Sequence, residues 1–167
     1  MLVALRPPVR FQEITPPKND KLAFLERRFT PRTVFMEIGA ADCAFALHAA
    51  TNVERVYAID VSGRFLHTVP APSNLRLVLC DGVRIPLPEA LVDLAWSGSF
   101  MDHLHPDDAA RHLQSVRRSL VSGGEYLFTT QQPAGQVRRR LFGAGFSAVR
   151  ISLLSRLLKP LRVAAIR

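Results

Sequence analysis

The sequence predicts an α/β fold: an open, mostly parallel sheet with helices on both faces. Three observations predict it. Short apolar runs alternate with helix-compatible segments along the 167 residues. The run Val34–Ile38 leads into Gly39 and then an Ala-rich stretch, which is the strand, tight turn and helix start of a ligand-binding corner. Three acids, Glu37, Asp60 and Asp81, fall at the ends of three successive strands, and in such a sheet those ends line one crevice.

The elements follow in order. Residues 1–16 carry Pro7, Pro8 and Pro16 and are read as irregular. Asn19 or Asp20 can cap a helix to about Phe29, with Leu22, Leu25 and Phe29 on one face. This arm, residues 1–30, either packs on the sheet or covers the ligand as a lid; residues 31–167 form the main domain. Val34, Phe35, Met36 and Ile38 give a strand buried on both faces, and Asp42–Ala50 a helix ending near Asn52. Glu54–Asp60 is the second strand. Ser62 caps a short helix to Val69, anchored by Phe65 and Leu66. Leu75–Cys80 is the third strand and Val92–Trp96 the fourth, followed by Ser97-Gly98-Ser99. Pro106 opens a helix with Asp107 and Asp108 at its positive end; it runs to about Val121 and stops at Gly123-Gly124. Glu125–Thr130 is the fifth strand and Ala134–Phe142 the next helix. Phe146–Leu153 and Leu161–Ile166 are two last strands, joined too closely for a parallel crossover and therefore antiparallel.

Composition narrows the function. The hydrophobic fraction of 48% is globular, and no apolar run is long enough to cross a bilayer. The first residues lack a secretory signal core, and two cysteines make neither a disulfide framework nor a metal spacing, so the expected location is cytoplasmic and no metal is expected. The net charge of +8 is unevenly spread: residues 37–108 carry four basic and ten acidic side chains, and residues 109–167 eleven basic and one acidic. The acidic middle suits a cationic ligand. The basic C-terminal third is either a solvated surface or a contact for an acidic partner or nucleic acid, with Arg138, Arg139 and Arg140 near the substrate edge.

Asp60 lies 21 residues after Gly39, close to the spacing at which an acid takes ribose hydroxyls. Three carboxylates at consecutive strand ends together point to a nucleoside ligand. Here the chain resembles the class I S-adenosylmethionine-dependent methyltransferases, over roughly residues 30–167. Glu37-Ile38-Gly39-Ala40-Ala41-Asp42-Cys43 resembles the family's acidic, glycine-rich first loop. Ile59-Asp60-Val61-Ser62 resembles its second motif, and Cys80-Asp81-Gly82 with Ile85-Pro86-Leu87-Pro88 its third. Val92–Ser97 with Met101-Asp102-His103-Leu104, then Leu120–Glu125, then Leu141–Phe146, resemble the later segments in order. The loop departs from the pattern: Ala41 and Cys43 stand where the family has its second and third glycines.

The resemblance implies a seven-stranded Rossmann-like sheet, order 3-2-1-4-5-7-6, with only the last strand antiparallel. It implies S-adenosylmethionine as cofactor, with Asp60 on the ribose and Asp81 at the adenine amino group. The expected cofactor residues are Glu37, Gly39, Ala40, Ala41, Asp60, Val61, Phe65, Asp81, Gly82, Ser97 and Gly98. His103 is the candidate general base, needed only if the methyl acceptor must lose a proton, and Asp102 either orients it or faces water. Cys43 and Cys80 are read as turn fillers. The acceptor is not identified. Only Gln131-Gln132-Pro133 separates the fifth strand from the next helix, so the acceptor site must be closed by residues 1–30, by a second subunit in a homodimer, or by the acceptor itself. Two other readings stay open: a cofactor-binding but inactive partner subunit, and a nicotinamide-dependent oxidoreductase, whose G-x-G-x-x-G fingerprint only Gly39 and Ala44 satisfy.

Overall fold

A computed structural model describes residues 20–62, 71–153 and 161–167. The elements are α1 (Asp20–Glu26), β1 (Val34–Ile38), α2 (Ala44–Ala50), β2 (Arg55–Asp60), β3 (Leu75–Leu79), β4 (Val92–Gly98), a 3-10 turn (Phe100–His103), α3 (Pro106–Ser119), β5 (Leu120–Thr130), α4 (Ala134–Gly143), β6 (Ala148–Leu153) and β7 (Leu161–Ile166). The strands form one sheet in the order β3-β2-β1-β4-β5-β7-β6. Pairings from β3 to β5 are parallel, and β7 runs antiparallel to both neighbours. This is the topology expected from the sequence. It puts β1 at the centre, with the chain leaving β1 and β4 in opposite directions across the sheet; ligands bind at the carboxyl ends of strands at such a switch point.

Two cores follow from the period-2 alternation of the strands. From β1, Met36 and Ile38 face one core, together with Ala109, Leu113 and Val116 of α3 and Val137 and Leu141 of α4. Phe35 faces the other, with Leu25 of α1 and Ala46 and Ala49 of α2. The turn after α1 sets Phe29 edge-on to Phe35, ring centroids 5.3 Å apart, and joins Arg28 to Glu125 at 2.7 Å. The first helix thus packs on the sheet through its described residues. Of the arm 1–30 expected to pack on the sheet or to cover the ligand, residues 1–19 lie outside the described residues, as do residues 63–70, which hold Phe65 and nearly all of the short helix expected at Ser62–Val69.

Two boundaries differ from the sequence expectation. The helix after β1 starts at Ala44, not Asp42, because Cys43 takes a left-handed conformation (φ 57°) and the Asp42 carboxylate accepts the Ala44 amide at 3.1 Å. Helix α3 does not run to Gly123-Gly124. Leu120, fully buried, turns to extended dihedrals and pairs with Val92, and β5 begins there. The register then jumps, since Leu94 faces Glu125, so the glycine pair sits in an irregularity of the strand. The Arg167 guanidinium donates to the carbonyls of Arg118 (3.2 Å) and Leu120, and so takes up the helix-end acceptors that a glycine cap would have served.

Candidate functional site

The site is built at the carboxyl ends of β1, β2, β3 and β4. At the first corner, the Gly39 and Ala40 amides donate to the Ile59 carbonyl at 2.8 and 3.0 Å, tying the turn after β1 to the end of β2. The Asp60 carboxylate completes the clasp. One oxygen accepts the Ala41 amide and the other the Ser62 amide, each at 2.8 Å. Each carboxylate oxygen keeps a further lone-pair site, so the group can still accept hydroxyl donors. Gly39 takes φ 76°, and Ala41 and Cys43 take φ 46° and 57°. The residues that replace glycines therefore keep a glycine-type backbone, at a steric cost of ~1–2 kcal/mol each.

Glu37 lies within β1, two residues before Gly39. Its alternation sends the side chain to the α2 face with Phe35, where it is only 7% exposed and one oxygen, Oε2, has no hydrogen-bond partner. Burial raises its pKa to about 8; the Ala46 amide opposes the shift, and the nearby Asp42 and Asp60 charges add to it. A buried, half-satisfied carboxyl of this kind is stabilised by a cation or a hydrogen-bond donor brought to its unpartnered oxygen. Asp81 behaves oppositely. The Arg84 and Val83 amides hold its pKa below the ordinary carboxylate range; its Oδ1 accepts them at 3.2 and 2.8 Å, so it is ionised and closes its own turn. Gly82 in that turn has φ 71°, and a Cβ there would stand 2.5 Å from Cζ of Phe100.

The remaining expected residues divide. Val61 is 73% exposed beside Asp60, and Gly98 is exposed at the end of β4. Ala40 is buried. Ser97, expected at the cofactor, is fully buried with its hydroxyl 2.7 Å from the Tyr126 hydroxyl, so its side chain belongs to the core. His103 ends the 3-10 turn, exposed on the carboxyl side of β4. Asp102 does not orient it and does not simply face water: its carboxylate accepts the Thr130 hydroxyl and, at 2.9 Å, the Gln131 amide, fastening the end of β5. Burial pushes both cysteine thiols up, which disfavours the thiolate form. Trp96 is a core residue. Among the described residues no group of three His, Cys, Asp or Glu side chains could hold a metal, and no helix is long and apolar enough to cross a membrane.

Sequence reading missed Phe100, His112 and Tyr126. Phe100 rests on Gly82 and is 3.5 Å from a Cβ built on Gly39, so one ring spaces the two loops. His112 is fully buried, 2.6 Å from the Gly82 carbonyl and 2.9 Å from the Tyr126 hydroxyl. The signal was present: His112 falls three residues after Ala109 and four before Val116, on the buried stripe of α3.

Shape and chemistry do not coincide. A hollow of about 460 Å³ lies at the opposite, amino ends of β1 and β2, lined by Phe29, Pro31 and Val53 among others; its one charged lining residue, Glu26, is already paired with His48 at 2.7 Å. At Asp60 there is only a narrow cleft of about 10 Å³ between Ala41, Cys43, Ser62 and Leu79. The Asp60 carboxylate is at the narrow cleft, and chemistry rather than volume identifies the candidate site.

Residues 36–128, more than half of the chain, match a family model described as a methyltransferase domain. No curated protein matches significantly. Among solved structures, the chain is similar to 1,6-didemethyltoxoflavin-N1-methyltransferase of Burkholderia thailandensis, solved with S-adenosylhomocysteine (19% identity, 87% of this chain and 76% of that one, TM-score 0.75). It is also similar to S-adenosylmethionine-dependent methyltransferases of Mesorhizobium loti (16%, 86% and 96%, TM-score 0.72) and Aquifex aeolicus (16%, 87% and 88%, TM-score 0.68). At these identities the structures attest the fold.

Proposed function

Because the chain belongs to the class I S-adenosylmethionine-dependent methyltransferases, we propose that it passes the methyl group of S-adenosylmethionine to a nucleophilic atom of an acceptor held over the carboxyl ends of β4 and β5. The observation that carries the cofactor assignment is the clasp of Asp60 on the Gly39–Ala41 turn, which sets a half-buried carboxylate beside a backbone corner shaped for close approach.

The residues then have distinct tasks. Asp60 takes the ribose hydroxyls with its remaining lone pairs, and Asp81 with the Gly82 turn meets the adenine. Glu37, with its unpartnered oxygen, faces the cationic end of the cofactor, and ionises as that charge arrives. The cofactor supplies a methyl group already activated on a sulfonium, so the protein's part is to hold both reactants and exclude water. His103 is the proton acceptor for acceptors that need one; its side chain is free of the Asp102 carboxylate, which is spent on Thr130 and Gln131. The strained but retained backbone at Ala41 and Cys43 favours a working cofactor loop over a lost one, and so favours the enzyme over an inactive partner subunit.

The partner surface is narrower than the charge count suggests. Arg117 donates to the Gly145 carbonyl at 2.7 Å, Arg118 to those of Ile85 and Leu87 at 3.0 and 2.8 Å, and Arg140 to Gln132 at 2.8 Å. Arg138 and Arg139, with half-exposed Phe142 one turn on, form the solvent face of α4 and are the part suited to nucleic acid as an acidic partner.

The test is calorimetry with S-adenosylhomocysteine. Asp60→Ala should weaken binding by roughly 2–4 kcal/mol, about 30- to 1000-fold. It should also lower the melting temperature, because two backbone amides lose their acceptor. Equal affinity in the wild type and the variant would remove Asp60 from the cofactor site.

A further inference from the structure

A buried chain of hydrogen bonds runs from the end of β4 to the turn after β3, and its direction is fixed by one carbonyl. The Gly82 carbonyl can only accept, so His112 Nδ1 carries a proton and donates to it at 2.6 Å. Burial holds the imidazole neutral, which leaves Nε2 as an acceptor. The Tyr126 hydroxyl, 2.9 Å away, therefore donates to Nε2, and its oxygen accepts the Ser97 hydroxyl at 2.7 Å. All three side chains are fully buried. Phe100 adds a second hold on the same glycine: its ring lies 5.1 Å from the imidazole, centroid to centroid, and covers the Gly82 Cα so closely that a Cβ would overlap it.

We propose that His112 is a positioning residue for the cofactor: the directed chain Ser97 to Tyr126 to His112 fixes the Gly82 carbonyl, and with it the turn that receives the adenine. The inference rests on the methyltransfer reading above, because it takes the Asp81-Gly82 turn as the adenine end of the site. The alternative for such a group is packing alone. Packing, however, needs neither a set tautomer nor a hydrogen bond to the one residue that Phe100 also clamps. Buried polar groups joined head to tail specify one geometry, and a single missing member leaves its neighbour unsatisfied.

The experiment uses the full chain in five forms: wild type, His112→Leu, His112→Asn, Tyr126→Phe and, as a packing control, Leu113→Val on the same helix. Each is titrated calorimetrically with S-adenosylhomocysteine and with adenosine, and melted thermally; the imidazole nitrogens of wild type and Tyr126→Phe are read by 15N NMR. His112→Leu should weaken both ligands by about tenfold, the loss of roughly one hydrogen bond's worth of positioning. His112→Asn, which sets an N–H where Nδ1 stood, should recover most of that loss. Leu113→Val should lower the melting temperature without changing affinity. Wild type should show His112 protonated at Nδ1 alone, and so should Tyr126→Phe, because the Gly82 carbonyl still sets the tautomer; only the Nε2 shift should move as that nitrogen loses its donor. His112→Leu binding both ligands as tightly as a wild type that binds them would overturn the positioning role and leave the function standing, as would a wild-type proton on Nε2. A wild type that binds neither ligand overturns the function and the positioning role together.

Discussion

Substituting Ala41 by glycine should stabilise the protein. Ala41 is exposed and holds φ 46° in the loop after β1. An L-residue in that left-handed region costs ~1–2 kcal/mol through the clash of its Cβ with the following carbonyl. Glycine removes the clash but gives the unfolded chain more freedom, an opposing ~0.4–1 kcal/mol. The net gain is ~0.5–1 kcal/mol, or about 1–4 °C in melting temperature for a chain of this size. Neighbouring positions set the scale. Ala40 is 4% exposed and lies outside the left-handed region, so Ala40→Gly loses a buried methyl and relieves nothing; it should destabilise by about 1 kcal/mol or more. Cys43 has φ 57° but is 5% exposed, so relief of strain and loss of the buried thiol should nearly cancel in Cys43→Gly. Thermal melts at one pH should rank the variants Ala41→Gly, Cys43→Gly, Ala40→Gly, with calorimetry showing S-adenosylhomocysteine affinity in Ala41→Gly at least equal to wild type. A fall in melting temperature for Ala41→Gly would refute the argument from backbone strain.

Three further outcomes follow from the same geometry. The Glu37 carboxyl, raised from 4.5 to about 8, keeps its proton in the folded state where the unfolded chain has lost it, so stability should fall as pH rises through that window and level off above it; the total is about 4–5 kcal/mol at most, and melts of Glu37→Gln should show the slope gone. His112, lowered from 6.5 to about 4, resists a proton that the unfolded chain accepts, so stability should drop as pH falls across that range, by about 3 kcal/mol in all, and His112→Asn should flatten the acid limb. If α4 meets nucleic acid, oligonucleotide affinity should fall steeply with salt, and the paired change Arg138→Gln with Arg139→Gln should reduce the salt slope by about two; no binding at low salt leaves these arginines as solvated surface.

The sheet order was legible because strand length, alternation of elements and the resemblance all agreed, and β1 with its apolar run could only be central. The α3–β5 junction was not. Gly123-Gly124 has the composition of a helix stop, but the deciding groups are distant in sequence: Val92, which pairs with Leu120, and Arg167, which takes the helix-end carbonyls. The acids were legible as residues at strand ends, but not their different states. Asp81 is lowered by two amides two and three residues on, a local matter. Glu37 is raised by a helix packing over it, a tertiary one. The two readings of the basic third could not be separated in the sequence for the same reason: counting arginines cannot tell a guanidinium in water from one that holds a carbonyl 28 to 33 residues away.

The loop after β1 has only one of its three glycines, yet its backbone keeps the glycine conformation. Two strained residues store ~2–4 kcal/mol against it. The opposing force comes from Asp60, whose carboxylate accepts the Ala41 and Ser62 amides, each charge-assisted bond contributing ~1.5–3 kcal/mol where well formed and less at this partly exposed site. The two magnitudes are comparable, so the loop holds its shape mainly because an anion stands at the end of β2. The same anion is the group assigned to the ribose. A ligand that draws on its remaining lone pairs acts on a carboxylate already fixed in place, and so does not have to order it on binding. The loss of glycine from the loop therefore shifts responsibility for the site's geometry from backbone freedom at Ala41 and Cys43 to the charge at Asp60, and under the proposed function that acid is a structural and a binding residue at once.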